Sequence, residues 1–414
     1  MAHAGEATPT ATPSDKEFRP ETSRGAEGFY RVTQDGAGRW WLLDPEGRPF
    51  FCKAVRDVRG TALGAGAGEA AAATVDDPAA RLRRWGFNAV GAGGDGAGRD
   101  DGLAFMATVD FCRAGTPIVT AGVRLPDVFD SDWPRLAALR AAEACTPLGG
   151  SRALLGWLTD ESAGWGQPVS AGRPSLLQVC LSLEPSFAAY HAAWEFALAS
   201  HGGRLEALAR AWGVPLANKE IVRELTRSEQ GFATRGYGRD DARWTREFAR
   251  RYFTSTAVAI RAVDAHHLLL GCRFGGPVGA SVLAESVYPA VDVAWYDWSE
   301  LPAAGVPGPV LAGNFCWAVE GFCAAPATGY ARRLTSVERM LRRGRGALER
   351  AARHPAVVGY VWRQWLDEPG EQPPFARGLV HANGAEAREH TELLAGFNAS
   401  AESLRRAANE TVST

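Results

Sequence analysis

The residues best placed to do chemistry are two adjacent acids, Asp160-Glu161, which interrupt an apolar run, Leu154-Leu155-Gly156-Trp157-Leu158. Such a run reads as a buried strand. Carboxylates at its end are costly to desolvate unless they are paired or put to use. The plain alternative is a cap, with Asp160 at a helix start and Glu161 complementing the dipole in its first turn. Other apolar runs end in a similar way: Pro49 to Val55 at Arg56 and Asp57, His267 to Cys272 at Arg273, and Val291 to Trp295 at Tyr296 and Asp297. Pro309 to Ala312 ends at Gly313-Asn314-Phe315, and the run from Val357 ends at Trp362. Trp157, Trp165, Trp295, Trp298, Trp317 and Trp365 crowd these same ends. Carboxylates, an arginine and flat aromatic faces together suit a sugar, which offers hydroxyls to bond, C–H faces to stack and an oxygen to protonate. Trp165, Trp317 and Trp362 are expected at a mouth, whereas Trp157 and Trp295, inside strands, also suit a core.

The elements that must position these residues alternate. Strands are expected at 49–55, 87–90, 117–123, 154–158, 267–272, 291–295, 309–312 and 357–362, with helical or loop segments between them. Eight such units predict a (β/α)8 barrel, whose functional groups sit on the C-terminal strand ends; a doubly wound open sheet is the alternative. A hairpin of Phe29–Val32 and Arg39–Leu43, turning at Asp35-Gly36, precedes the barrel. The stretch of about 168–262 is too long for one barrel helix and predicts a helical insertion over the mouth. Phe187, Tyr190, Trp194 and Leu198 recur at helical spacing there, as do Trp244, Phe248 and Tyr252. Thr335-x-x-Glu338 reads as a capping box ahead of Met340, Leu341 and Leu348, and Arg342, Arg343 and Arg345 mark that helix's solvated face. The polar, Pro- and Thr-rich residues 1–27 read as an unstructured tail, 28–400 as one barrel domain and 401–414 as a short C-terminal tail.

Composition excludes several classes. With 414 residues, 46% of them hydrophobic, the chain can bury a large core. A formal net charge of -2 gives no electrostatic case for a nucleic-acid or membrane partner, and no apolar run is long enough to span a bilayer. The N-terminus lacks the apolar centre of a signal peptide. The seven cysteines are scattered, without a C-x-x-C pair, which predicts reduced thiols, a cytoplasmic location and no structural zinc. Gly91-Ala92-Gly93-Gly94-Asp95-Gly96 spells a dinucleotide fingerprint, but no helix pattern opens within it, so a loop and no cofactor are expected. His266-His267 points to opposite faces of a strand start, which suits a surface or capping role better than a metal. The oligomeric state is left open.

Five segments resemble the retaining glycoside hydrolases built on (β/α)8 barrels, and more narrowly their agarase-like bacterial branch: GRWWLLDPEGRPFF, RLRRWGFNAVG, LLGWLTDESAGWG, AIRAVDAHHLLLGCRFG and VVGYVWRQWLDEPGEQPPFARGLV. The resemblance spans roughly Phe29 to Asn398. In such enzymes the fourth strand ends in Asn-Glu, and that Glu is the general acid/base. The resemblance therefore gives this role to Glu161, with Asp160 in place of the Asn. The seventh strand ends in a Gly-Glu-Phe-like sequence whose Glu is the nucleophile, and Asn314 stands at that position here. A neutral amide is not a competent nucleophile, so the second carboxylate would come from Asp297, Glu320, Asp160 or the substrate itself. Tyr296 matches the aromatic that orients the nucleophile, and Trp362 the eighth-strand platform. Arg56, Asp57, Trp165, Arg273, Asp297, Trp317 and Glu320 complete the expected substrate-binding set. The implied function is a glycoside-hydrolase-like enzyme on a carbohydrate or glycosylated small molecule, with repurposing in a biosynthetic pathway as a variant. The alternative is a carbohydrate-binding barrel that has lost its chemistry.

Overall fold

The computed structural model describes residues 17–59, 77–94, 102–276, 278–287, 290–302, 305–316, 337–367, 378–381 and 384–407. An antiparallel sheet of four strands leads: β1 (Phe18–Arg24), β2 (Arg31–Asp35), β3 (Trp40–Leu43) and β4 (Pro49–Phe50). Asp35 sets the turn between β2 and β3, its Oδ1 accepting the backbone N–H of Ala37 at 3.0 Å and of Arg39 at 2.9 Å. β1 lies within the stretch expected to be unstructured. It is a largely exposed edge strand held by backbone pairing and by Thr22 against Thr33, so it needs no apolar run for a sequence reading to detect.

Eight parallel strands follow in one sheet: β5 (Cys52–Val55), β6 (Ala89–Val90), β7 (Ala104–Val109), β10 (Leu154–Thr159), β12 (Leu268–Leu269), β13 (Ala294–Asp297), β14 (Val310–Phe315) and β15 (Val357–Trp362). Their order is β12-β10-β7-β6-β5-β15-β14-β13. The two ends of this order meet where Asp292 and Val293 donate their backbone N–H groups to Leu269 O, at 2.9 and 3.1 Å, as a (β/α)8 barrel requires. β5, β10, β14 and β15 are buried throughout, so apart from Lys53, Thr159 and Asn314 they read as near-continuous apolar runs rather than alternating ones.

The third barrel strand is Ala104–Val109 and not the expected 117–123. The latter run forms a hairpin, β8 (Pro117–Thr120) and β9 (Val123–Pro126), which joins β11 (Gly164–Trp165) in a small antiparallel sheet. Val119 is 64% exposed there, so β propensity misled where burial decides. The glycines before β7 answer to packing: a Cβ on Gly93 would lie 2.1 Å from Asp57 Oδ1, and one on Gly94 2.0 Å from Val58 O. Asp95 and Gly96 of the fingerprint lie outside the described residues.

Helices α1 (Pro78–Arg84) and α2 (Trp133–Cys145) flank the early strands. The insertion between β10 and β12 is helical as expected: α3 (Leu176–Ser182), α4 (Ala188–Ala199), α5 (Leu205–Trp212), α6 (Glu220–Arg227) and α7 (Arg235–Arg261). Thr234 caps α7, and Trp244, Phe248 and Tyr252 form its buried stripe. α8 (Ala280–Val287), α9 (Val337–Arg353) and α10 (Arg388–Ala407) complete the set. Met340 and Leu348 of α9 are buried and Arg342, Arg343 and Arg345 exposed; Thr335 lies outside the described residues.

α10 runs past the boundary at 400. Arg405 is fully buried and donates to the carbonyls of Ala352 and His354, both at 2.9 Å, and of Trp40. Its charge reads as solvated tail in the sequence but is spent on orphan carbonyls. His267 is likewise internal: Nδ1 meets Asp264 at 2.6 Å and Nε2 meets Ser151 O at 2.8 Å, tying the starts of β10 and β12 together. No described helix is long and apolar enough to cross a membrane.

Candidate active site

The C-terminal ends of the barrel strands carry Arg56 and Asp57 (β5), Asp160 and Glu161 (β10), Arg273 (beyond β12), Asp297 (β13), Asn314 (β14) and Arg363 (β15). β12 is only two residues long, but its backbone continues alongside β10: Thr159 N bonds Gly271 O, Arg273 N bonds Asp160 O, and Ala163 N bonds Arg273 O. That extension places Arg273 beside Glu161. Arg273 Nε donates to Glu161 Oε2, and Nη2 donates to Ser162 Oγ at 2.8 Å. Glu161 Oε1 is buried and has no hydrogen-bond partner among the described residues.

The two adjacent acids are separated by the backbone. Asp160 and Ser162 sit at φ 65° and 59°, left-handed values that non-glycine residues seldom adopt, on either side of Glu161. Asp160 points inward with no exposed surface. Its Oδ1 accepts the backbone N–H of Cys112 at 2.8 Å and its Oδ2 the hydroxyl of Tyr252 at 2.6 Å. Burial, with Asp110 beside it, raises its pKa to about 7 against the lowering effect of those two donors. Asp160, grouped with Glu161 as a catalytic candidate, is thus buried, with both of its oxygens bonded within the fold. Asp110, Cys112 and Asp160 offer donor atoms within 4.8 Å of one another. Both Asp160 oxygens are already engaged, and burial pushes the Cys112 thiol up, which disfavours the thiolate a metal needs.

On the opposite arc, Asn314 is also left-handed, at φ 51°, a conformation that asparagine tolerates better than most residues. The preceding Gly313 has no room for a side chain, because a Cβ there would lie 2.0 Å from the Trp295 ring. Asn314 Nδ2 donates to Asp297 Oδ2 at 3.1 Å, while its Oδ1 is buried with no hydrogen-bond partner among the described residues. Asp297 Oδ1 accepts from the N–H and hydroxyl of Ser299, and burial raises its carboxyl pKa. Arg56 is 9% exposed and pairs with Asp57 through Nη2 at 2.6 Å.

Several expected aromatics are differently placed. Trp165 is buried, stacked on Phe253 at 5.8 Å and edge-on to Tyr252 at 5.5 Å. Trp362 has no exposed surface and its ring lies 5.5 Å from that of His390. Trp362 therefore packs into the wall, whereas Trp165, though buried, borders the cavity beside Glu161. Tyr296 is buried in β13, and burial raises its pKa. Trp317 and Glu320 lie outside the described residues. Ser162, Tyr252 and Arg363 are not among the site residues expected from the sequence. Arg363 follows the last residue of a strand and was readable in principle; Tyr252 reads as one more apolar helix position. Beside Glu161, a cavity of about 430 Å3 is lined by the β8–β9 hairpin, by Ser162, by β11 with Trp165 and the residues just after it, and by Gly275 and Gly276. Arg124 on its wall donates through Nη1 to Glu161 O at 3.2 Å.

No known protein family matches the sequence of this chain, and no curated protein matches it. Solved structures do match its fold. An exo-beta-agarase aligns with a TM-score of 0.70 at 18% identity over 92% of this chain and 66% of its own. The agarase AgWH50C gives 0.66 at 17% identity over the same shares, and BpGH50 gives 0.68 at 16% over 95% and 86%. The chain thus spans a little under two thirds of the length of the two agarases, and at these identities the likeness is one of fold, a barrel resembling those of glycoside hydrolases.

Proposed function

We propose that this chain is a glycoside-hydrolase-like enzyme that takes a sugar or sugar-like substrate at the barrel mouth, with Glu161 as general acid/base. One observation carries the reading. Glu161 Oε1, Asn314 Oδ1 and Arg56 Nε and Nη1 are all buried at C-terminal strand ends without hydrogen-bond partners among the described residues. Folds rarely leave such groups unmet, and a polyhydroxylated ligand offers the donors and acceptors they lack. Arg273 fixes the Glu161 carboxylate, and the strained Asp160–Ser162 turn aims it. Asp297 is the second carboxylate in this scheme, oriented by Asn314 in the seventh-strand position. The fold likeness to agarases supports galactans as the first substrates to try.

A second reading is a carbohydrate-binding barrel without chemistry. It is favoured by the neutral amide at Asn314 and by the ion pair that occupies Glu161. Turnover on a panel of aryl glycosides and agaro-oligosaccharides, alongside calorimetric binding of the same sugars, separates the two. Turnover that depends on Glu161 supports the enzyme. Saturable binding without turnover supports the binding barrel, and neither turnover nor binding removes the carbohydrate reading.

A further inference from the structure

The mouth carries more guanidinium than a neutral sugar requires. Arg56 is buried and its Nη2 is committed to Asp57, yet Nε and Nη1 are shut away from water with no hydrogen-bond partner among the described residues. Unmet N–H groups on a buried cation are costly, more so than on a neutral group. Arg273 is also buried, with its donors on Glu161 and Ser162. Arg363 stands on the strand next to Arg56, whose backbone N–H donates to Trp362 O at 3.1 Å. Burial, together with the like charges of Arg273 and Arg363, pulls the Arg56 guanidinium down to about 10, against the pull of Asp57 and Glu161. Among the described residues, the acids that act on this group are committed: Asp57 to Arg56 itself and Glu161 Oε2 to Arg273.

We propose that the mouth takes a sugar bearing an anionic substituent, a carboxylate or a sulfate ester, held by Arg56 with Arg273 at its side. This rests on the reading of Glu161 as acid/base. Such an anion supplies the acceptors that Arg56 Nε and Nη1 lack. It also competes with Glu161 for Arg273, so that the released carboxylate can take up a proton from water and then pass it to the glycosidic oxygen as the glycosidic bond breaks. A neutral sugar does neither. Guanidinium groups suit both candidate anions, because each presents a pair of charged oxygens to the N–H fork.

The test is calorimetric titration of the full chain with the methyl glycosides of galactose and glucose, their 6-carboxylates and their 6-sulfates. At low salt, an anionic sugar is expected to bind at least about tenfold more tightly than its neutral parent, and this advantage should shrink as salt screens the charges. Arg56→Gln should reduce the advantage to less than about threefold, with Arg56→Lys, which keeps the charge, falling between the two. A gain confined to carboxylates or to sulfates identifies which anion the site takes. Equal affinity for neutral and anionic sugars overturns this inference and leaves the glycoside reading standing. No binding of any of the six overturns both. Because the comparison between ligands is made on the unaltered protein, a variant that fails to fold does not remove the test.

Discussion

Tyr252 donates its hydroxyl to Asp160 Oδ2 at 2.6 Å, joining the buried face of the longest helix to the turn that presents Glu161. The bond runs from the insertion into the barrel, so the insertion supports the candidate acid/base from below. Tyr252→Phe removes the donor and keeps the ring. A buried carboxyl left without this donor costs about 1–3 kcal/mol, and thermal or urea unfolding should register that loss. Any glycoside turnover should fall with it, since the turn around Glu161 loosens. An unchanged midpoint would show that the bond holds nothing.

Stability should fall as pH rises from about 4 to about 7. Burial raises the Asp160 pKa from the ordinary carboxyl range to about 7. In that window the folded chain keeps a proton that the unfolded chain has released, so each step up in pH favours unfolding, by up to about 1.4 kcal/mol per unit. Asp160→Asn cannot release the proton. Urea titrations of both proteins across this range should show a slope in the parent that flattens in the variant; parallel curves would mean that Asp160 is ionised throughout.

Glu161→Gln keeps the shape of the side chain and removes the proton transfer. Its side chain is 27% exposed, so folding should survive, as judged by circular dichroism and melting. Turnover on any glycoside the protein cleaves should drop by about 10²–10⁴. Undiminished turnover would assign Glu161 to structure alone.

Asn314→Glu tests whether the seventh strand aims at the sugar. The variant restores a carboxylate at that position, at a cost of about 1–2 kcal/mol for a left-handed glutamate, and loses the bond to Asp297. The new anion also pushes the Asp297 carboxyl further up. If the barrel only binds sugars, cleavage of an activated aryl glycoside should appear together with a covalent glycosyl-enzyme detectable by mass spectrometry; if it is already an enzyme, the new anion beside Asp297 should lower its native turnover. No gain on a sugar that binds would place position 314 away from the anomeric carbon.

Much of the architecture was legible because burial leaves a mark on composition. β10, β14 and β15 are buried throughout, so LLGWLT, VLAGNF and VVGYVW read as apolar runs, and the residues that end them could be named from the sequence. The helical insertion was legible from the spacing of Trp244, Phe248 and Tyr252. What tertiary structure alone decided were directions and partners. The sequence placed Asp160 and Glu161 side by side; two left-handed residues turned one into the core and left the other at the mouth. It offered Trp165 and Trp362 as mouth aromatics; packing against His390 drew Trp362 into the wall, while Trp165 stacks on Phe253 and still borders the cavity beside Glu161. It gave Arg273 and Arg56 as separate strand ends, and only the closing of the barrel brought their charges to bear on one another and on Glu161. A strand's hydrophobic pattern records which face is buried, because water selects for that along the chain. Which polar groups meet across a barrel depends on register, backbone sign and side-chain packing between segments more than 100 residues apart, as with Glu161 and Arg273, 112 residues apart, and no local pattern encodes that.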